Sequence, residues 1–170
     1  NATPAHFFVR LLEQKGLMEN TVFIYTSDHG DMVGSQGEQR KQKPWDESIR
    51  VPFVIRCPGQ QKKGVTVNKP INMVDHMPTL LSFSGIDIPE SVEGRNVSGL
   101  FTGHEPDGDD VALTMCIAPF GEYTGLPWRG VHTTRYTYTR RLDGPWLLFD
   151  NETDPNQLHN LIDHPEHAPL

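Results

Sequence analysis

Residues 21–28 read TVFIYTSD, an apolar run that stops on a carboxylate, and this feature constrains the fold more than any other in the chain. A half-buried strand alternates polar and apolar side chains, whereas a continuous run is what a strand covered on both faces requires. Such strands lie inside α/β sheets. The preceding segment reads as a helix: Thr3 is placed to cap it, Pro4 suits the first helical position, and Gly16 can end it. Phe8, Leu11 and Leu12 fall on one face of that helix. A chain that opens on a helix feeding an interior strand reads as the later part of a longer α/β protein.

Further along, IRVPFVIRCPG supplies a second strand, with Pro52 placing it late in the sheet or near an edge. Asp75 is expected to cap a helix running through Leu80, Leu81 and Phe83 to Gly85, and NVSGLFTG to form one more short helix. GHEPDGDD, between Gly103 and Asp110, has the composition of a linker. Beyond it the pattern changes to short strands at Val111–Ile117, Gly130–Thr133, Tyr136–Arg140 and Trp146–Phe149, with Asp143-Gly144 as a hairpin signal. DPNQLHNLI reads as a short capped helix. The expected organisation is an α/β core over residues 1–108 and a small antiparallel sub-domain over 109–170. A chain of 170 residues can bury one sizeable core, or one core plus a small satellite.

The residues with the most chemistry stand where the apolar strand stops, in TSDHGDMVGSQG. In open α/β sheets ligands bind beyond the carboxyl ends of the strands. The Asp28 carboxylate is a hard ligand for Ca²⁺ or Mg²⁺, and the His29 imidazole completes a shell or suits Mn²⁺ or Zn²⁺. Gly30 and Gly34 let the backbone turn sharply after them. The dipeptide alone fits equally a turn cap with a local hydrogen bond, so both readings stand at this point.

The next segment, KQKPWDESIRVPFVIRCPG, makes the pattern specific. Together with NTVFIYTSDHGDMVGSQG it resembles the metal-binding and sulfate-binding segments of the type I sulfatases, members of the alkaline-phosphatase-like superfamily. The resemblance continues through VDHMPTLLSFSGIDIP, WRGVHTTRYTYTR and LLFDNETDPNQLHNLI, nearly the whole chain. It implies the C-terminal portion of a sulfatase-like mixed sheet with flanking helices, followed by a small antiparallel sheet with a terminal helix. It implies Asp28 and His29 as ligands of a divalent metal, Ca²⁺ first, with Mg²⁺ or Mn²⁺ as alternatives. Spacing back from WDESIRVP places Lys41 on the family's sulfate-contacting lysine, where an ammonium stabilises charge on the leaving oxygen. Lys43, two residues on, competes for that role and is otherwise a solvated loop lysine. Asp46 and Arg50 read as a structural ion pair or strand anchor, and Gln36 stands where many relatives carry a histidine.

Trp128 and Arg129 are substrate-binding candidates, since an aromatic ring beside a guanidinium suits stacking on a sugar and pairing with an anion. His132 and Arg135 accompany them. The same residues also fit an ordinary strand with one packed face.

The family's nucleophile, a Cys or Ser within Cys/Ser-x-Pro-x-Arg that matures to formylglycine, has no match here. Cys57 is followed by Pro-Gly-Gln and Cys116 by Ile-Ala-Pro. The resemblance therefore implies a fragment of a sulfuric ester hydrolase that holds part of the metal and sulfate site and is inactive alone. Its parent would act on a sulfated small molecule or glycan in the periplasm or outside the cell. The alternatives are a phosphodiester or phosphonate monoester hydrolase of the same superfamily, and a non-catalytic module that binds anionic glycans. With 15 basic against 22 acidic residues and no clustered cations, nothing suggests a nucleic-acid surface. No run approaches the roughly 18 apolar residues that span a bilayer. The two cysteines have neither metal-ligand nor disulfide spacing and read as buried thiols.

Overall fold

The computed structural model describes residues 4–60, 64–103, 110–119 and 125–168; the expected cap at Thr3 and most of the expected linker lie outside them. In chain order the elements are α1 (Pro4–Gln14), β1 (Phe23–Thr26), α2 (Asp46–Ile49), β2 (Phe53–Arg56), α3 (His76–Phe83), α4 (Gly99–Thr102), β3 (Val111–Cys116), β4 (Trp128–Thr133), β5 (Tyr136–Arg141) and β6 (Gly144–Asp150). The architecture is mixed α/β, with a two-stranded and a four-stranded sheet, and the chain groups into two compact units.

The first unit holds α1, β1, β2, α3 and α4. The α1 helix ends at Gly16, whose φ of +66° lets Leu17 N–H turn back to Leu12 O at 3.0 Å. β1 and β2 pair antiparallel, Phe23 opposite Arg56 and Thr26 opposite Phe53. Phe53, Phe83 and Phe101 meet with ring centroids 6.0 and 6.2 Å apart along the chain of contacts. Two expectations are corrected here. β1 is not covered on both faces: Tyr25 is 50% exposed and, on β2, Val54 is 58% exposed. The two strands pair only with each other among the described residues, and their burial is partial. Asp75 does not cap α3 through its side chain. Its backbone is already helical, and its buried carboxylate instead accepts from Arg95 N–H at 2.8 Å and Arg95 Nη2 at 3.0 Å.

The second unit holds the meander β3-β4-β5-β6 and the polar segment 28–51 with α2. The four strands lie within two residues of their expected bounds. Alternation places Ala112, Trp128, Thr137, Thr139, Leu147 and Phe149 on one buried face. Burying each large apolar side chain there contributes about 1.5–3 kcal/mol. Gly130 stands in mid-strand because a Cβ there would meet Tyr138 O at 2.9 Å and the hydroxyls of Thr114 and Thr139 at 3.0 Å. The β5–β6 hairpin turns on Leu142 and Asp143, with Gly144 opening β6 at φ +141°.

The expected terminal helix over residues 154–162 is absent; the segment is a series of turns. Gln157 sits at φ +52°, outside helical space. The segment instead serves the edge of β6: Leu148 N–H donates to Asn160 Oδ1 at 3.0 Å, and Leu161 N–H to Leu148 O at 2.8 Å. Asn160 Nδ2 donates to Trp146 O at 3.0 Å. An unpaired edge offers more hydrogen bonds than one further helical turn would make. The one helical turn at this end is a short 3₁₀ turn, Pro165–His167. No helix among the described residues is long and apolar enough to cross a membrane.

Candidate functional site

Asp28 follows directly on β1, and the chain from there to Val51 belongs to the second unit. Gly30 is required by close approach: a Cβ would stand 1.9 Å from Glu47 O, while Gly30 N–H donates to Ser48 O at 2.9 Å. Gly34 is required by its φ of +99°. Together they fold the segment back so that residues twelve apart meet.

At that meeting point Lys41 Nζ lies 3.0 Å from His29 Nε2, and Asp28 Oδ2 lies 3.4 Å from the same nitrogen. His29 Nδ1 is 2.7 Å from Gly30 O. A carbonyl can only accept and an ammonium can only donate, so the ring must carry its proton on Nδ1 and present a lone pair at Nε2. That is the orientation of a metal-binding histidine whose other nitrogen is held by a backbone carbonyl. A half-exposed ring, a carboxylate that is 80% exposed and an ammonium lodged against them form an electronegative corner with a cation already in it. Asp28 and His29 thus fit two ligands of a divalent ion. Among the described residues no group of three or more His, Cys, Asp or Glu side chains is arranged to hold a metal.

Lys43 goes elsewhere. Its side chain is only 18% exposed and its ammonium pairs with Glu38 at 2.8 Å, so it is not the solvated loop cation expected. Its N–H donates to Ser48 Oγ at 3.2 Å. Gln36, at φ +55°, donates from Nε2 to Asn156 O at 2.9 Å.

The buried face of β4 grips this loop at two points. Trp128, 5% exposed, donates its indole N–H to Gln42 O at 3.0 Å. His132 Nε2 lies 3.0 Å from Asp46 Oδ1. Gln157 closes the second point: its Nε2 lies 3.0 Å from Asp46 Oδ1, 3.1 Å from Thr137 Oγ1 and 3.0 Å from Asn151 Oδ1, while its Oε1 accepts Asp46 N–H at 2.9 Å. Burial would raise the Asp46 carboxyl, but the hydrogen bond and charge of His132, with Arg50 behind them, hold it below its ordinary value of 3.8. The expected Asp46–Arg50 pair is present at 3.4 Å and is the longest of these contacts.

Strand alternation separates Trp128 from Arg129, which is exposed on the opposite face of β4. Arg135 is committed to Asp150, with Nη2 2.7 Å from Oδ2 and Nε 3.1 Å from the same oxygen. A structural role for Asp46 was legible from the sequence, but its partners His132 and Gln157 were not, because their contacts span 86 and 111 positions and follow no local motif.

Residues 34–170 match the family model described as N-sulphoglucosamine sulphohydrolase, C-terminal. The chain is 47% identical to an ulvan-active sulfatase from Formosa agariphila over 95% of its own length and 32% of that protein's. It is 35% identical to an arylsulfatase from Clostridium perfringens, over 94% of this chain and 33% of that one. A solved structure in complex with its substrate D-glucosamine-2-N,6-O-disulfate superposes with a TM-score of 0.81 at 26% identity, covering 96% of this chain and 34% of that one. The phosphonate monoester hydrolase from Silicibacter pomeroyi superposes with a TM-score of 0.80 at 28% identity, over 96% and 35%. The chain spans about a third of the length of the curated relatives it matches. With a family model matched from Gly34 to the end and relatives up to 47% identical over nearly its whole length, the chain belongs to the sulfatases as their C-terminal portion.

Proposed function

We propose that this chain forms part of the metal and sulfate site of a sulfuric ester hydrolase and does not turn over substrate alone. The observation that supports this most is the 3.0 Å approach of Lys41 Nζ to His29 Nε2 beside the Asp28 carboxylate. Asp28 and the His29 Nε2 would hold a divalent cation, Ca²⁺ before Mg²⁺ or Mn²⁺, in exchange for the Lys41 contact at that nitrogen, and the cation would draw charge from the sulfate oxygens. Two donors fall short of the six to eight that Ca²⁺ takes, and relatives about three times as long leave room for the rest of the shell elsewhere. Lys41, released from Nε2 but kept beside this corner by its loop, would lower the cost of negative charge on the leaving oxygen. A sulfated glycan or small molecule is the substrate class, and Arg129, exposed on the face of β4 opposite the one that grips the loop, offers a guanidinium only to a part of an anionic sugar that reaches that face. Trp128 belongs to the same proposal through the loop it holds. The parent enzyme works in the periplasm or outside the cell.

The test uses the longer enzyme that carries this chain. Asp28→Ala should lose most bound metal, read by elemental analysis and calorimetry. Lys41→Ala should cut kcat/KM on an aryl sulfate by roughly two to three powers of ten. Lys43→Ala, losing its pair with Glu38 away from the His29 corner, should stay within roughly a few-fold. Unchanged metal stoichiometry would return Asp28 to a turn-forming role, and a more damaging Lys43→Ala would shift the lysine assignment by two. The structural likeness to a phosphonate monoester hydrolase favours one second reading, in which the same corner serves a phosphonate ester. Relative kcat/KM on matched aryl sulfate and phosphonate esters separates the two.

A further inference from the structure

We infer that Trp128 is a positioning residue for Lys41, acting through the carbonyl of Gln42; the inference rests on the proposed role of Lys41. Lys41 lies between two residues in left-handed backbone, Arg40 at φ +61° and Gln42 at φ +72°. Neither is glycine, and such conformations persist in L-residues only where the surroundings over-determine them. Here both flanking carbonyls are held. Met32 N–H donates to Arg40 O at 2.8 Å, and Trp128 Nε1 donates to Gln42 O at 3.0 Å. The tryptophan end is firm because the indole is 5% exposed, and a buried indole N–H, a donor only, must find an acceptor. Cys116 stands directly opposite Trp128 on β3, and its Sγ lies 3.7 Å from the Gln42 side-chain Oε1. Two neighbouring strand residues thus hold one loop residue.

The consequence is geometric. If the Gln42 carbonyl is released, Gln42 relaxes towards ordinary right-handed or extended backbone, and the direction of the Lys41 side chain changes with it. The ammonium then leaves the position 3.0 Å from His29 Nε2. Trp128 therefore controls where the lysine charge stands without touching substrate.

The experiment is a double-mutant cycle on an aryl sulfate in the longer enzyme: Trp128→Phe, Lys41→Ala and the pair, with thermal melts alongside. Trp128→Phe keeps an aromatic ring and removes the donor. It should lower kcat by roughly ten- to a hundred-fold, the scale for losing an outer partner of a site group, with KM changed much less. In the Lys41→Ala background the same substitution should change kcat by less than about two-fold, since residues acting as one unit do not add. Equal losses in both backgrounds, or a silent Trp128→Phe beside a damaging Lys41→Ala, overturn the inference alone. An unchanged kcat in Lys41→Ala overturns the reading of the site as well. If Trp128→Phe fails to fold, benzothienylalanine at position 128, which keeps the bicyclic shape and puts sulfur in place of N–H, supplies the same cycle.

Discussion

The two units bury their side chains to very different degrees. In the first, Phe7, Phe8, Val54 and Met77 are 63%, 56%, 58% and 59% exposed, and no residue of α1 is buried. In the second, Trp128, Leu147, Leu148 and Phe149 are between 2% and 6% exposed, and Thr137 and Gln157 are buried with hydrogen-bond partners. Exposed apolar side chains occur there too, Leu113 and Met115 on β3 at 55% and Val33, Leu142 and Leu158 at 81%, 88% and 63%, and the first unit has its own buried Met18 and Val97 at 3% and 2%. The apolar surface of the first unit is written for burial that its own described residues do not supply. The second unit satisfies itself locally, and it carries Asp28, His29 and Lys41. A polar loop can be held to a fixed shape only where its anchors are themselves fixed, and the buried face of β4 meets that condition.

The largest expected effect sharpens this contrast. Phe149→Ala should destabilise the 170-residue chain by about 3–5 kcal/mol, as for a large core ring. Phe8→Ala in the same chain should stay within about 0.5 kcal/mol, as for a surface site. Denaturant melts measure both. In a longer sulfatase carrying the chain, the Phe8 cost should rise towards the core value if α1 is covered there. Equal costs in the short chain would erase the distinction between the units.

Much of the second unit was legible in the sequence because its signals are local. Period-two alternation marked β3 to β6, a glycine after Asp143 marked the hairpin, and an Asp-His-Gly after an apolar strand marked the site. Lys41 was placed by its spacing from Trp45 and Asp46. What escaped depends on distant partners. α2 is a four-residue helix whose Ser48 and Asp46 are held by groups outside it, so propensity had little to report. Left-handed backbone at Arg40 and Gln42 has no sequence signature in residues of those types. Trp128 read as a sugar platform because an aromatic residue beside an arginine carries no mark of which strand face it takes. The apolar run at β1 misled in the opposite sense, since it records what a strand can bury.

A middling effect tests whether the second unit's polar core is a unit in its own right. Gln157 is 2% exposed and serves Asp46, Thr137 and Asn151 at once. Gln157→Ala leaves several buried groups short of a partner, and should cost about 2–3 kcal/mol. The part-buried Ser82–Ser98 pair of the first unit, 3.1 Å apart, is the comparison, and Ser82→Ala should cost about 0.5–1 kcal/mol. Urea melts of both variants give the ratio, and a cost at Gln157 no larger than that at Ser82 would mean that water replaces the network freely.

The smallest effect is in the acid response of Asp46. Its carboxyl is held below 3.8 because His132 and Arg50 together outweigh the burial that would raise it. A carboxyl whose folded pKa lies below its unfolded value binds fewer protons when folded. It therefore adds stability that is fully present above the unfolded value and is lost as pH falls through the folded one. His132→Gln removes the leading favourable partner and leaves burial in place, so the Asp46 carboxyl should move up. The variant should then be less stable than the parent chain at about pH 5, by an amount that shrinks on acidification as the Asp46 carboxyl takes up its proton. Asp150 and Asp154 are also held low, by Arg135 in the first case and by hydrogen bonds from the His159 and Leu158 backbone, against burial, in the second. Both remain in the variant, so the difference between the two melting curves, and not either curve alone, isolates Asp46. A stability gap that stays constant from pH 5 to pH 3 would show that His132 anchors the loop by shape and packing, with no charge-dependent hold on Asp46.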